Sequence, residues 1–271
     1  MMEESREQNK KHIVLVHGSC HGAWCWYKVA TLLEAAGFRV TAPDLAASGI
    51  DLRRLSEVAT LAAYSQPLLD VVASLPDREK AVLVGHSFGG LNVALAADRF
   101  PEKVAAAVFV TAFMPDCTSR PSSLVEKYLE QNPPVASVWM DTRFNFGEGA
   151  TVPGSVLFGP RFMASRLYQL CPPEDMMLGT TLVREASYFV EDLGSLPAFS
   201  EDGYGSVATA FIVCGQDAAI TEDYQRFMIR NHPVKEVIEI EGADHMAMLS
   251  TPQELCRSLI SIADHASYST A

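Results

Sequence analysis

The chain has 271 residues, of which 48% are hydrophobic and 20% charged, and its formal net charge is −12. This length and apolar content predict one large α/β domain with a full core and room for an inserted subdomain. The acidic balance, without any block of basic residues, argues against nucleic acid and anionic membrane surfaces as partners. No apolar run approaches the roughly 18 residues that a membrane-spanning helix needs, so no membrane partner is predicted.

Cysteine usage and the first residues indicate the cellular compartment. The six cysteines are scattered and form no C-x-x-C pattern. Residues 1–11 are polar and charged, without the apolar core of a secretory signal. Together these features predict reduced thiols in a cytoplasmic protein. The histidines and cysteines show no metal-ligand spacing, so no metal site is predicted.

Short apolar runs alternate with segments of helical spacing along most of the chain. This alternation is typical of a doubly wound sheet, so we expect the α/β class with a mostly parallel, six-stranded sheet. The predicted strands are residues 13–16, 39–42, 81–84, 104–111, 208–214 and 237–240, and the predicted helices are residues 24–37, 55–75, 88–100, 222–230 and 252–266.

Residues 113–206 break this alternation. They are rich in proline, methionine and aromatic residues, with helical pieces at 122–131, 161–170 and 173–182 but no convincing long strand. We interpret them as an inserted helical cap over the carboxyl ends of the strands, with residues 1–112 and 207–271 as the core. The alternative is the ordinary core of a second small domain. An apolar, methionine-rich cap over the site would favour binding of a hydrophobic substrate.

The segment Gly85-His86-Ser87-Phe88-Gly89 joins a predicted strand to a predicted helix. This G-x-S-x-G pattern between a strand and a helix is the nucleophile elbow, in which a tight turn lifts the serine hydroxyl clear of the sheet. The helix N-terminus favours developing negative charge at that point. We therefore predict Ser87 as a nucleophile, the alternative being a glycine-rich turn with an incidental serine.

A serine nucleophile needs a histidine base and an acid, which follow the serine in the order acid, then histidine in proteins with this elbow. His245 lies in the loop after strand 237–240 and is the predicted base, because His232 and His265 lie near helix ends. Asp217 ends the loop after strand 208–214 and is the predicted acid, with Asp116 as the alternative.

The tetrahedral intermediate of acyl transfer needs hydrogen-bond donors for its oxyanion. One donor is expected to be the N–H of Phe88, the residue after the nucleophile. The other is expected from the loop after the first strand, at the N–H of Ser19.

Several motifs together resemble the plant methylesterase and hydroxynitrile lyase family. They are HGSCHGAW (17–24), DLAASG (44–49), GHSFGG (85–90), FMPD (113–116), LCPPED (170–175) and GADHM (242–246). The similarity runs from about residue 11 to residue 266. It implies an α/β-hydrolase fold with a cap, no cofactor, a homodimer, and the triad Ser87, Asp217 and His245.

Members of this family catalyse either ester hydrolysis or cyanohydrin cleavage, and two positions in this sequence favour ester hydrolysis. The lyases resemble His-Thr-x-Cys at the first strand and carry a lysine directly after the catalytic histidine. The matching residues here are Gly18 and Met246. Gly18 leaves room for the oxyanion and an attacking water, and Met246 offers no charge for cyanide. By the same resemblance, the substrate pocket includes Gly18, Phe113, Trp139, Phe144, Phe158 and Met246, with Phe88 beside them.

The predicted function is a serine carboxylesterase that cleaves methyl esters of small hydrophobic plant acids through an acyl-enzyme. If the acid released is a β-keto acid, decarboxylation could follow. Two alternatives stay open. One is a hydroxynitrile lyase, and the other is a ligand receptor that signals through a partner when its cap moves.

Overall fold

The structure, a computed structural model, describes residues 10–146 and 152–266. The strands are β1 (His12–Val16), β2 (Arg39–Thr41), β3 (Ala81–His86), β4 (Val104–Val110), β5 (Arg143–Asn145), β6 (Ser155–Leu157), β7 (Thr209–Cys214) and β8 (Glu236–Ile240). Six of them form one sheet in the order β2-β1-β3-β4-β7-β8, with every neighbouring pair parallel. The predicted six-stranded sheet is therefore confirmed.

The central strands are the buried part of this sheet. Every residue of β1, β3, β4 and β7 is buried, as expected for strands inside a doubly wound sheet, and this explains their continuous apolar runs. The strand β8 lies at an edge, and its burial alternates along the chain. Val237 is 42% exposed, whereas Ile240 is buried.

The five predicted core helices are all present, although three of them begin later than predicted. The described helices are α1 (Tyr27–Ala35), α2 (Leu61–Ala73), α3 (Gly89–Arg99), α4 (Ser122–Gln131), α5 (Ala136–Trp139), α6 (Pro160–Phe162), α7 (Pro173–Leu182), α8 (Val190–Ser195), α9 (Glu222–Asn231), α10 (Ala247–Ser250) and α11 (Pro252–His265).

Helix α2 begins later than predicted because Thr60 caps its N-terminus. Thr60 has extended backbone angles, and its hydroxyl accepts a hydrogen bond from the N–H of Ala63 at 3.0 Å, so it caps the helix. The preceding residues Leu55–Glu57 form a separate 3₁₀ turn instead of a first helical turn. Gly37 follows α1 with φ +95°, a left-handed conformation that favours glycine at the end of a helix.

Residues 113–206, which we call the cap segment, contain α4 to α8 and the antiparallel pair β5–β6. This short pair was not anticipated, because three-residue strands carry too little periodicity to be recognised. The predicted helix at 161–170 is broken, since Met163–Leu167 form a π-helical turn after α6. The division of the chain at residues 113 and 206 stays a prediction.

The parallel sheet brings four loops to one edge. The carboxyl ends of β1, β3, β7 and β8 lead into the loops that carry Ser19, Ser87, Asp217 and His245. Ligands of open α/β sheets bind at this edge. Among the described residues, no helix is long and apolar enough to cross a membrane.

Candidate active site

Ser87 occupies a strained turn between β3 and α3. Its φ is +54°, in the left-handed region that L-residues rarely adopt. Only glycine fits at the flanking positions. A Cβ atom on Gly85 would lie 2.7 Å from the carbonyl oxygen of Gly89, and one on Gly89 would lie 2.6 Å from that of His17. The turn leaves Ser87 partly exposed while the residues around it are buried.

His245 and Asp217 form a buried pair next to this turn. His245 Nδ1 lies 2.7 Å from Asp217 Oδ2, and both side chains are almost completely buried. The other carboxylate oxygen, Oδ1, accepts hydrogen bonds from the N–H groups of Ala219 at 2.7 Å and Ile220 at 2.9 Å. Because Nδ1 donates to the carboxylate, Nε2 of the neutral imidazole is left as an acceptor.

Thr111 is a further partner of this pair that the sequence did not indicate. Its hydroxyl donates a hydrogen bond to Asp217 Oδ2, the same oxygen that accepts from His245. Sequence reasoning missed it because a threonine at the end of a strand carries no distinguishing signal.

Asp116, the alternative acid, and Asp244, which precedes His245 in the chain, both bond to other groups. Asp116 Oδ1 accepts hydrogen bonds from the backbone of Thr118 and Ser119, so this carboxylate caps its own turn. Asp244 accepts from the N–H groups of Leu170 and Met246, and burial raises its pKa. The structure therefore brings Asp217, and neither of these, to His245.

The two predicted oxyanion donors are buried beside Ser87. Ser19 is 4% exposed and Phe88 is 1% exposed. Within residues 10–146 and 152–266, neither backbone N–H has a hydrogen-bond acceptor. Gly18, the residue before Ser19, lies in close contact with the candidate nucleophile, since a Cβ atom there would lie 2.7 Å from Ser87 Cβ.

His21 holds the Ser19 loop in place. Its Nδ1 donates to the carbonyl of Ser19 at 2.8 Å, and its Nε2 accepts from the hydroxyl of Tyr168 in the cap segment at 2.7 Å. Burial lowers the pKa of His21 to about 3, so the ring is neutral at physiological pH. A cap residue is thus connected to the loop that carries a candidate oxyanion donor.

His86 contacts both the backbone and the ring of His245, the candidate base. Its Nε2 donates to the carbonyl oxygen of His245 at 2.8 Å, and the two ring centres are 4.6 Å apart. Burial, reinforced by the neighbouring histidines, lowers the pKa of His86 well below its usual value. The neutral ring therefore supports the backbone of His245 without adding a charge.

A cavity opens onto Ser87 and His245, with an empty volume of about 320 Å³ that includes space open to solvent. Phe113, Trp139 and Phe158, three of the predicted substrate contacts, are among the residues that line it. Aromatic and aliphatic side chains dominate the lining. The lining residues are Ser19, Ser87, Phe113, Tyr128, Trp139, Phe158, Phe162, Leu167, Tyr188, Ala219, Ile220 and His245.

Three predicted pocket residues are placed differently. Phe144 packs edge-on against Trp139, with ring centres 5.2 Å apart, outside the described lining of the cavity. Met246 is fully buried, and its N–H donates to Asp244. Gly18 contacts the elbow and is likewise outside that lining.

Three aromatic residues of the cavity lining were not predicted from the sequence. Tyr128, Phe162 and Tyr188 belong to the aromatic enrichment of the cap segment, but periodicity does not indicate which aromatic rings face the nucleophile. In the described part of the chain, no group of histidine, cysteine or carboxylate side chains is placed to hold a metal ion.

Comparison with known proteins shows the family to which the chain belongs. Residues 13–258 match the alpha/beta hydrolase family. Salicylic acid-binding protein 2 of Nicotiana tabacum is 52% identical over 254 residues, which cover 93% of this chain and 97% of that protein. Methylesterase 1 of Arabidopsis thaliana is 53% identical over 261 residues, covering 96% and 98%. The crystal structure of polyneuridine aldehyde esterase aligns with a TM-score of 0.89 and 45% identity, covering 94% of this chain and 100% of that one. The chain therefore belongs to the alpha/beta hydrolase family, and within it to the group of plant methylesterases.

Proposed function

We propose that the protein is a serine carboxylesterase that hydrolyses methyl esters of small hydrophobic acids. The observation that carries this proposal is a single apolar cavity lined by both Ser87 and His245, with His245 Nδ1 bonded to the buried Asp217. The high identity to Methylesterase 1 supports the same reaction class. Ser87 is the proposed nucleophile, His245 the base and Asp217 the orienting acid.

Acylation follows from these positions. Ser87 Oγ attacks the ester carbonyl carbon while His245 Nε2 accepts the hydroxyl proton. The resulting oxyanion accepts hydrogen bonds from the N–H groups of Ser19 and Phe88, each worth roughly 2.7–4 kcal/mol in the transition state. The intermediate then collapses, the bond to the methoxy oxygen breaks, and His245 gives its proton to the departing methanol.

Deacylation repeats the steps with water. His245 removes a proton from water, the hydroxide oxygen attacks the acyl carbon, and Ser87 leaves with the proton returned by His245. Asp217 keeps its negative charge throughout and stabilises the imidazolium that forms. A β-keto acid released in this way could then lose carbon dioxide.

The cavity supports a small hydrophobic acid as the acyl part of the ester. Aromatic and aliphatic side chains dominate its lining, which favours an apolar acyl group over a charged one. Phe113, Trp139 and Phe158 are the proposed contacts for the acyl group, because they line the cavity with Ser87.

Two positions support hydrolysis over cyanohydrin cleavage. A side chain at Gly18 would collide with Ser87 Cβ at 2.7 Å, so the threonine of lyase-like sequences does not fit this backbone. Met246 is buried and uncharged, and therefore provides no cation for departing cyanide.

The test is methanol release from a panel of methyl esters, including methyl salicylate, with wild type beside Ser87→Ala. We expect many turnovers on at least one ester and a loss of at least about 10⁴-fold in Ser87→Ala. Binding of a free acid such as salicylate without turnover of any ester would contradict hydrolysis and favour a receptor. Cyanide release from cyanohydrins would favour a lyase.

We further infer a cytoplasmic location and a homodimer. All six cysteines are free, which supports a reducing compartment, and the dimer is implied by the family resemblance alone. Cell fractionation and sedimentation velocity would check these two points, and a disulfide-linked or monomeric protein would contradict them.

A further inference from the structure

Thr111 has an unusual backbone for its residue type. It is fully buried, directly follows β4, and has φ +38°. A positive φ is strained for a β-branched residue, whereas glycine adopts it freely. Strain of this kind persists only where the surrounding structure holds it in place.

The turn at Thr111 encloses the backbone of Ser87. Val110 accepts a hydrogen bond from the Ser87 N–H at 3.4 Å, and the Phe113 N–H donates to the Ser87 carbonyl at 3.0 Å. The Thr111 N–H itself donates to Ile212 in β7 at 3.0 Å. The strained residue therefore lies between the elbow and the strand that leads to Asp217.

The Thr111 side chain then reaches the acid itself. Its hydroxyl donates to Asp217 Oδ2, which also accepts from His245 Nδ1 at 2.7 Å, while Oδ1 is held by two backbone N–H groups. In the described part of the chain, Thr111 and His245 are the side chains that bond this carboxylate. With every one of these donors in place, the carboxylate is fixed against rotation.

We propose that Thr111 is a positioning residue of the triad, whose hydroxyl fixes Asp217 Oδ2 toward His245 and shares the negative charge on that oxygen. This inference rests on the proposed esterase function and extends it beyond Ser87, Asp217 and His245. It explains why a strained position carries a residue with a hydroxyl, since glycine would remove both the strain and the donor.

The matched pair Thr111→Ser and Thr111→Ala tests the hydroxyl, because both variants lack the γ-methyl group and only serine retains the donor. We expect Thr111→Ser to stay within about threefold of the wild-type kcat, and Thr111→Ala to lose about tenfold in kcat with little change in KM. The acidic limb of the kcat/KM profile should move up by roughly half a pH unit in Thr111→Ala but not in Thr111→Ser, because a carboxylate with one donor fewer stabilises the protonated imidazole more strongly.

Thr111→Gly separates positioning from stability. It removes the strain and the hydroxyl together, so its melting temperature should be at least that of Thr111→Ala while its kcat is equally low. The Nδ1 proton resonance of His245 should move in the alanine and glycine variants and stay in place in the serine variant. Equal kcat and equal pH profiles for serine and alanine would overturn the inference, as would activity that simply follows the melting temperature. Failure of the wild type on every ester would instead overturn the proposed function.

Discussion

The space around Ser87 is so small that one added carbon atom on Gly18 would collide with it. Gly18 lies so close that an added Cβ would be 2.7 Å from Ser87 Cβ and 3.2 Å from both Nδ1 and the carbonyl oxygen of His86. None of these is the free end of a flexible side chain, so the neighbours cannot move aside without shifting the elbow. The loop after β1 and Ser87, the candidate nucleophile, are therefore packed against each other through a glycine.

We expect Gly18→Ala to lower kcat/KM by about 100-fold and to reduce the free energy of unfolding by about 1–3 kcal/mol, because overpacking displaces the elbow. Ester hydrolysis and urea denaturation measure the two effects. Gly242→Ala is the matched control, since a Cβ atom there meets nothing within 4 Å. A Gly18→Ala enzyme with wild-type kinetics would show that the contact is not restrictive.

Between elements, hydrogen bonds connect the cap segment to the core at the active site and away from it. Tyr168 donates to His21 at 2.7 Å, and His21 holds the carbonyl of Ser19. Tyr27 in α1 donates to Asp175 in α7 at 2.8 Å, a similar bond that does not involve the cavity lining. The two tyrosines thus form a natural comparison.

We expect Tyr168→Phe to lower kcat about 5- to 10-fold, because the buried Nε2 of His21 loses its donor and the Ser19 loop becomes less well fixed. Tyr27→Phe should change the free energy of unfolding by at most about 1 kcal/mol and leave kcat within twofold. Steady-state kinetics with thermal denaturation measure both. An equal loss of kcat in the two variants would contradict a specific role for the His21 contact.

Some of these strands and loops could be predicted from the sequence, and others could not. Strands such as β3 were predictable because burial on both faces produces a continuous apolar run. The placement of Ser87, Asp217 and His245 at one edge of the sheet was predictable from strand ends and chain order. The β5–β6 pair was not, because three residues are too few to show a period. Thr111 and Tyr188 were not predictable either, since their contacts depend on packing between distant segments.

Across the whole molecule, several histidines are buried in the neutral state. Burial, with Arg39 close by, lowers the pKa of His12 to about 4, and burial lowers the pKa of His17, His21 and His86 as well. Above pH 6.5 these rings are neutral in both the folded and the unfolded chain. Below it, the unfolded chain binds protons that the folded chain does not, so stability falls as the pH falls.

His12 allows this acid sensitivity to be tested away from the cavity. Its Nδ1 accepts from Arg39 at 3.0 Å, a bond that protonation would abolish. The free energy of unfolding should fall between pH 7 and pH 4.5 in both proteins. We expect this decrease to be about 2 kcal/mol smaller in His12→Gln than in wild type. Urea denaturation at several pH values measures this slope, and the exposed His265→Gln is the control. Parallel curves for all three proteins would refute the assignment.

The cap segment leaves and rejoins the sheet next to the reacting groups. Phe113, its first residue, donates to the Ser87 carbonyl, and Ala208, just after its end, accepts from Ala107 at 2.9 Å in the strand pairing that precedes Asp217. The backbone at both ends of the segment is thus held next to the candidate catalytic groups, and Tyr168 within it bonds to His21. A sequence change away from these contacts can therefore alter which ester is accepted, whereas a change at one of them also alters how fast that ester is cleaved.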